Sequence, residues 1–320
     1  MNSELSDTAR NAAEARTRIT DYIYQTPLLP SRALGDEYGC DLRFKAENFQ
    51  LTGSFKMRGA ASKMTSLRGN GGLITASSGN HGIACSRAAS IAGKKLTVVL
   101  PETVANAKLE KIKSFGVEVV LHGSESGLAE VHAQSLAKTR GLTYVSPYND
   151  PVVVAGQGTI GLELLEQAEN LDNIFVAMGG GGLIGGIGSV LKNTNPETRV
   201  IGVSAKNSAA LAASMLAGEI VDTEHYDTLA DGVAGGVDKG SVTLPLAMQV
   251  IDEVLICDEA EIASALKRMA LDENQIVEGA AALALAGFIQ IADRLRSQTS
   301  VVLICGANFD QDRVLSIING

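Results

Sequence analysis

Residues 73–121 read LITASSGNHGIACSRAASIAGKKLTVVLPETVANAKLEKIKSFGVEVVL. Three short β-rich runs, LITA, LTVVLP and VEVVL, alternate here with two helical stretches, GIACSRAASIAG and ANAKLEKIKSFG. The rhythm continues through NIFVAM, RVIGVS, DEVLIC and SVVLIC, each near-continuously apolar. Unbroken apolar strands, unlike alternating ones, are those covered on both faces, as in parallel sheets. Alternating strands and helices then imply right-handed crossovers and an open α/β sheet. Between these strands Ile262, Leu266 and Met269 recur at helical spacing and predict one buried stripe. Gly93, Gly116, Gly141 and Gly218 stand where helices need a left-handed closing residue.

The chain has 320 residues, enough for roughly two domains or one large one. With 27 basic and 36 acidic side chains its formal net charge is −9. Phosphate neutralisation needs a basic surface, so a nucleic-acid partner is not expected and a small-molecule substrate is. Cys40, Cys85, Cys257 and Cys305 are scattered without C-x-x-C spacing, which suggests neither a disulfide framework nor a zinc site. A reducing cytoplasm fits that usage. The N-terminus MNSELSDTARNAAEARTRI is polar, and no run of about 18 apolar residues occurs, so neither secretion nor a membrane span is expected.

Several stretches carry candidate chemistry. In FQLTGSFKMRGA (49–60) a lysine, Lys56, lies between Phe55 and Met57. By itself it reads as a solvated surface lysine; held among apolar neighbours it would lose proton affinity and become a nucleophile. In AMGGGGLIGGIGSVL (177–191) four glycines, Gly179, Gly180, Gly181 and Gly182, follow a strand and lead into a helix. Such a loop exposes backbone N–H groups at a positive helix end and cradles a phosphate, although a tight turn is the plainer reading. No Lys-Ser/Thr follows it, and no acidic residue closes the next strand, so it is neither a P-loop nor a dinucleotide fingerprint. In ASSGNHGIAC (76–85) Ser77, Ser78, Asn80 and His81 place donors at a helix start, which suits a carboxylate as well as a simple N-cap turn. Cys305 closes the last strand, where ligands sit in doubly wound sheets, yet a lone cysteine reads equally as a buried apolar residue. Glu278, in the helical stretch QIVEGAAALALAG, either needs buried partners or faces solvent. Together, an amine, a phosphate loop without nucleotide features, a carboxylate turn and a strand-end thiol describe pyridoxal phosphate chemistry.

At this point the sequence resembles the fold-type II pyridoxal-phosphate enzymes (tryptophan synthase β-like), and within them the threonine/serine dehydratase and serine racemase group. KAENFQLTGSFKMRGA, SSGNHG, VVAGQGTIGLE, GGGGLIGG, LADGV, VEGAA and the terminal CGAN carry the resemblance, from about residue 18 onward. It implies two open, twisted, mostly parallel sheets flanked by helices. Residues 1–71 and 150–320 would form a large cofactor domain, and 72–149 a small mobile one. It further implies Lys56 as the Schiff-base lysine and Phe55 as the residue packing on the cofactor ring. Asn80 would bind the cofactor's 3-hydroxyl, the four glycines with Leu183 its phosphate, and Cys305 would face its ring nitrogen; Glu278 is grouped with them. Ser77, Ser78, Asn80 and His81 would grip the substrate carboxylate, and a homodimer is implied.

A thiol, unlike an aspartate, cannot keep the ring nitrogen protonated, so loss of the β-substituent is expected to follow promptly once Lys56 removes the α-proton. The cofactor phosphate is expected to protonate the departing hydroxyl. Dehydration of L-threonine or L-serine to a 2-oxo acid and ammonia is therefore the leading expectation. Ser78 matches the serine that racemases place opposite the lysine, so racemisation is an alternative, but SESGLAE (124–130) lacks the racemase arginine. The metal ligands of some relatives fall on Ser204 and Ala210, with Lys206 between them, so no metal is expected there. VIGVS and VVEGAAA resemble a branch that includes hydroxyectoine-utilisation dehydratases, which leaves a 3-hydroxyaspartate or hydroxyectoine-derived substrate as another alternative. A non-catalytic amino-acid-binding protein is the remaining one. The end at Gly320 leads us to expect no isoleucine feedback. The side-chain pocket is expected around Tyr148, Asn149 and residues 231–236.

Overall fold

The computed structural model describes residues 3–69 and 71–320. Ten strands occur among them: β1 (Leu28–Pro30), β2 (Asp41–Ala46), β3 (Leu73–Ala76), β4 (Leu96–Leu100), β5 (Glu118–Leu121), β6 (Thr143–Tyr144), β7 (Asn173–Ala177), β8 (Arg199–Ala205), β9 (Glu253–Cys257) and β10 (Thr299–Ile304). They make a six-stranded sheet, β1-β2-β10-β7-β8-β9, and a four-stranded one, β5-β4-β3-β6. Every pairing is parallel except β1 with β2. The seven apolar runs read as strands are β3, β4, β5, β7, β8, β9 and β10, with ends shifted by at most one residue. All of the second sheet falls between Leu73 and Tyr144, so the chain leaves the large sheet after β2 and re-enters it at β7.

Small residues set the layer spacing. The helix Gly279–Ile291, GAAALALAGFIQI, is almost wholly buried and lies on the large sheet. A Cβ on Gly287 would come within 2.5 Å of a Val203 methyl, so glycine lets helix and strand approach. The helices Pro151–Gln167 and Gly182–Thr194 pack the same way: a Cβ on Gly186 would sit 2.4 Å from the Val154 carbonyl. Asp150 caps the first of them by accepting from the Val152 N–H at 2.8 Å, with Pro151 pre-set for the first turn. Gly93, Gly116, Gly141 and Gly218 all have positive φ, as their placement predicted. The stripe Ile262, Leu266 and Met269 is buried on the helix Glu259–Leu271. No helix among the described residues is long and apolar enough to cross a membrane.

Beneath the first turn of the helix Lys56–Ser66 lies a buried ionic cluster absent from the sequence reading. Arg58 donates to both carboxylate oxygens of Glu47 (2.8 and 2.8 Å) and of Glu163 (2.6 and 2.8 Å). Lys45, equally buried, donates to Glu163 at 2.5 Å and to the Thr26 carbonyl at 2.8 Å. Two cations thus meet two anions, and the cluster joins β2, the turn after it and two helices.

Candidate active site

The site is assembled at the carboxyl ends of β10, β7 and β3, where parallel sheets leave backbone groups unpaired. Phe55 N donates to the Cys305 carbonyl (3.0 Å) and Ala307 N to the Gly53 carbonyl (2.9 Å), zipping the turn before Lys56 onto the loop after β10. Gly53 takes φ +73°, a turn conformation that favours glycine. Lys56 is thereby fixed at the first position of its helix, whose positive end disfavours an ammonium. Its Nζ donates to the Pro147 carbonyl at 2.9 Å. Loss of water around it lowers its pKa to about 8, against weaker opposing pulls from Cys85, Cys305 and Glu278.

Lys56 faces a cavity of about 400 Å³ whose lining includes Phe55, Asn80, the four glycines 179–182, Leu183, Glu278 and Cys305. The glycine loop admits no larger residue: a Cβ on Gly180 would lie 2.4 Å from the Tyr148 ring, and one on Gly182 3.0 Å from the Tyr148 Cα. Gly181, at φ +85°, precedes the helix Gly182–Thr194 with no side-chain cap. The N–H groups of that first turn therefore have no intrahelical partner. Cys305 is buried and its thiol is pushed up, chiefly by burial and then by Glu278, so it stays protonated.

A second cavity, of about 600 Å³, shares Lys56, Asn80 and Glu278 with the first and is lined by Ser77, Ser78, Gly79 and His81. Here the helix Asn80–Ile91 begins, again with no side-chain cap at Gly79. A Cβ on Gly82 would fall 1.8 Å from the Ser77 carbonyl oxygen, so glycine is needed to fold the turn. Asn80 Nδ2 donates to both oxygens of Glu278 (3.0 Å each), and Asn80 Oδ1 accepts from Asn308 Nδ2 at 2.7 Å.

Glu278 and His81 are both buried. Glu278 is no solvent-facing helix residue: it precedes its helix, is 3% exposed, and its pKa is held above the ordinary carboxylate range mainly by burial. It accepts from Asn80, the Asn308 N–H (3.1 Å) and the Cys305 thiol (3.6 Å). His81 reaches the second cavity, but its ring Nε2 lies 3.0 Å from the Val145 carbonyl. Burial, with the Lys56 charge, depresses its pKa to about 3, so it is a neutral imidazole and no cationic carboxylate anchor. The side-chain pocket includes Tyr148 and Gly232 to Gly236, whereas Asn149 stands behind the wall and holds Asp238. Ser204 and Ala210 are buried, Lys206 is exposed, and no carboxylate occupies those positions. The sequence reading passed over Glu130, Pro147 and Asp238, all lining the first cavity; SESGLAE was read only for the arginine it lacks.

Residues 19–306 match the family model for pyridoxal-phosphate dependent enzymes. The chain belongs to this family. It is 37% identical to a catabolic L-threonine dehydratase of Staphylococcus aureus, over 95% of this chain and 90% of that protein. The processed form of threonine deaminase isoform 2 from Solanum lycopersicum superposes with a TM-score of 0.95 at 30% identity, covering 100% of this chain and 94% of that one. A serine racemase from Dictyostelium discoideum gives 0.87 at 35% identity, covering 94% and 98%.

The residues present fit the family's cofactor. An amine of lowered pKa, an uncapped glycine-rich helix start and an uncharged thiol line one cavity. The four glycines pack closely on the wall behind them: a Cβ would come within 3.0 Å of Val233, Tyr148, or Leu211 and Thr243. A pyridoxal-phosphate enzyme would hold the aldehyde at Lys56, the phosphate at the glycine N–H groups and the ring nitrogen at Cys305.

Proposed function

We propose that this enzyme removes water from a small β-hydroxy amino acid, L-threonine or L-serine, to give a 2-oxo acid and ammonia. The observation that carries the reading is the position of Lys56 where a phosphate cradle and a carboxylate-binding helix start meet in adjoining cavities. When bound, pyridoxal phosphate supplies the electron sink that acidifies the amino acid's α-proton. The substrate carboxylate is held by the N–H groups at Ser77, Ser78 and Asn80. Lys56, with its pKa lowered to about 8, is the base that takes the α-proton. Cys305 stays uncharged, and its partner Glu278 fixes both it and Asn80. The water lost with the β-hydroxyl is regained on hydrolysis, so the net products are the 2-oxo acid and ammonium. Release of pyruvate from L-serine or 2-oxobutanoate from L-threonine tests this; a yellow, folded protein that releases neither would reject it.

Racemisation would need a second proton carrier. Ser78, which shares the second cavity with Lys56, is the candidate. Chiral chromatography after incubation with L-serine is expected to show pyruvate outpacing D-serine, and the reverse order would make the enzyme a racemase.

The proposal includes residues 72–149 as a small mobile domain and a cytoplasmic homodimer that binds no nucleic acid. Four free cysteines, three of them buried, support a reducing location, and the charge of −9 supports the last point.

A further inference from the structure

The two cavities around Lys56 differ in charge. Beside the Ser77–Asn80 turn stand Lys108 and Lys111, a setting for the α-carboxylate. Glu130 and Glu278 line both cavities and Asp231 the second; Asp238 joins Glu130 only in the first, where, among the described residues, Lys56 is the only cation. Glu130 and Asp238 are held in the same manner. Glu130 Oε1 accepts from the Tyr144 hydroxyl at 2.8 Å and Asp238 Oδ2 from Asn149 Nδ2 at 3.1 Å. Among the described residues no donor hydrogen-bonds Glu130 Oε2, and Asp238 has only Asn149 and the Tyr148 hydroxyl beside its carboxylate, so lone pairs remain on both acids. The Asp238 backbone N–H, bonded to the Tyr148 hydroxyl at 2.9 Å, fixes the second acid to the wall that packs on the glycine loop. Each acid thus keeps an acceptor for a ligand. Burial, and to a lesser degree the charge of Asp238, raises the pKa of Glu130 against the Tyr144 hydrogen bond.

We propose that Glu130 and Asp238 set side-chain specificity: the site takes β-hydroxy amino acids whose side chain ends neutral or, preferentially, in a cationic donor, and rejects those ending in a carboxylate. The inference rests on the dehydratase reading and deepens it. Lys56 and the glycine loop define where the reaction occurs; the open acceptor oxygens decide what side chain can lie beside it. A second carboxylate placed there meets like charge with no cation but the catalytic amine, whereas an ammonium finds two charge-assisted acceptors.

The test compares kcat/KM of the holoenzyme for L-serine, 3-hydroxyaspartate and 2,4-diamino-3-hydroxybutanoate. We expect the diamino acid to equal or exceed serine and 3-hydroxyaspartate to fall at least tenfold below it. Glu130→Gln should raise the 3-hydroxyaspartate-to-serine ratio on the order of tenfold, the scale of removing one like charge from a partly desolvated site. Equal use of serine and 3-hydroxyaspartate by the wild type, or an unchanged ratio in folded Glu130→Gln, overturns the proposal. A binding arm separates this from failure of the dehydratase reading. Titration of the cofactor's visible absorption with L-alanine, L-aspartate and L-2,4-diaminobutanoate needs no elimination. Aspartate should bind most weakly, and Glu130→Gln should narrow the gap; aspartate binding as tightly as alanine contradicts the charge preference even if no water is ever eliminated.

Discussion

Lys56 shows how one side chain can be destabilising and functional at once. Its pKa is about 8 in the fold and about 10.4 in an unfolded chain, so the unfolded state binds more protons between those values. Stability therefore rises with pH across that window, and below pH 8 the buried ammonium imposes its full penalty. Apoprotein Lys56→Met is expected to be more stable than wild-type apoprotein at pH 7 by on the order of 1–3 kcal/mol in urea unfolding. The difference should shrink as pH rises above 8; a variant less stable at pH 7 would show that the amine is solvated. Lys56 was legible as a choice between surface and site, because FQLTGSFKMRGA fixes its neighbours but not its access to water. Glu278 and His81 were legible as residues worth noticing and not in their environment. Their partners, Asn80 and Asn308 for one and Val145 for the other, are 198, 30 and 64 positions away.

At the scale of elements, strands covered on both faces announce themselves as unbroken apolar runs, which is why β3 through β5 and β7 through β10 were readable. β2 was not. Its sequence, DLRFKA, alternates charge with apolar residues, and Lys45 is buried in it only because Glu163, 118 positions on, neutralises it. β6, two residues long, is too short for any periodic signal. The cluster that rescues Lys45 makes a strong prediction. Arg58→Met leaves Glu47 and Glu163 facing each other without their guanidinium and should destabilise the protein by about 3–5 kcal/mol in denaturant unfolding. A loss below about 1 kcal/mol would mean the carboxylates find water or protons at little cost. The glycine loop yields a second prediction. Gly180→Ala must displace the Tyr148 ring, so it should release pyridoxal phosphate on dialysis with an affinity loss of at least about tenfold while melting changes little. Undiminished cofactor retention would place the phosphate elsewhere.

Across the whole molecule, the site exists because the chain visits the large sheet twice. β2 and β10 are neighbours although more than half the sequence separates them, and the loops that follow them bring Lys56 and Cys305 together. The second sheet presents the Ser77–Asn80 turn to that junction, and the proposed motion of residues 72–149 would open and close the second cavity while leaving the glycine loop intact. Alternating strands and helices were enough to infer an open α/β sheet, and the division into two sheets came from the family resemblance, whereas which strands neighbour one another came from topology the pattern does not encode. The account depends on one covalent partner for the cofactor. Borohydride reduction of the yellow holoenzyme, followed by digestion and peptide mass mapping, is predicted to place the pyridoxyl group on Lys56 alone. A label on any other lysine, or none with the colour retained, would contradict it.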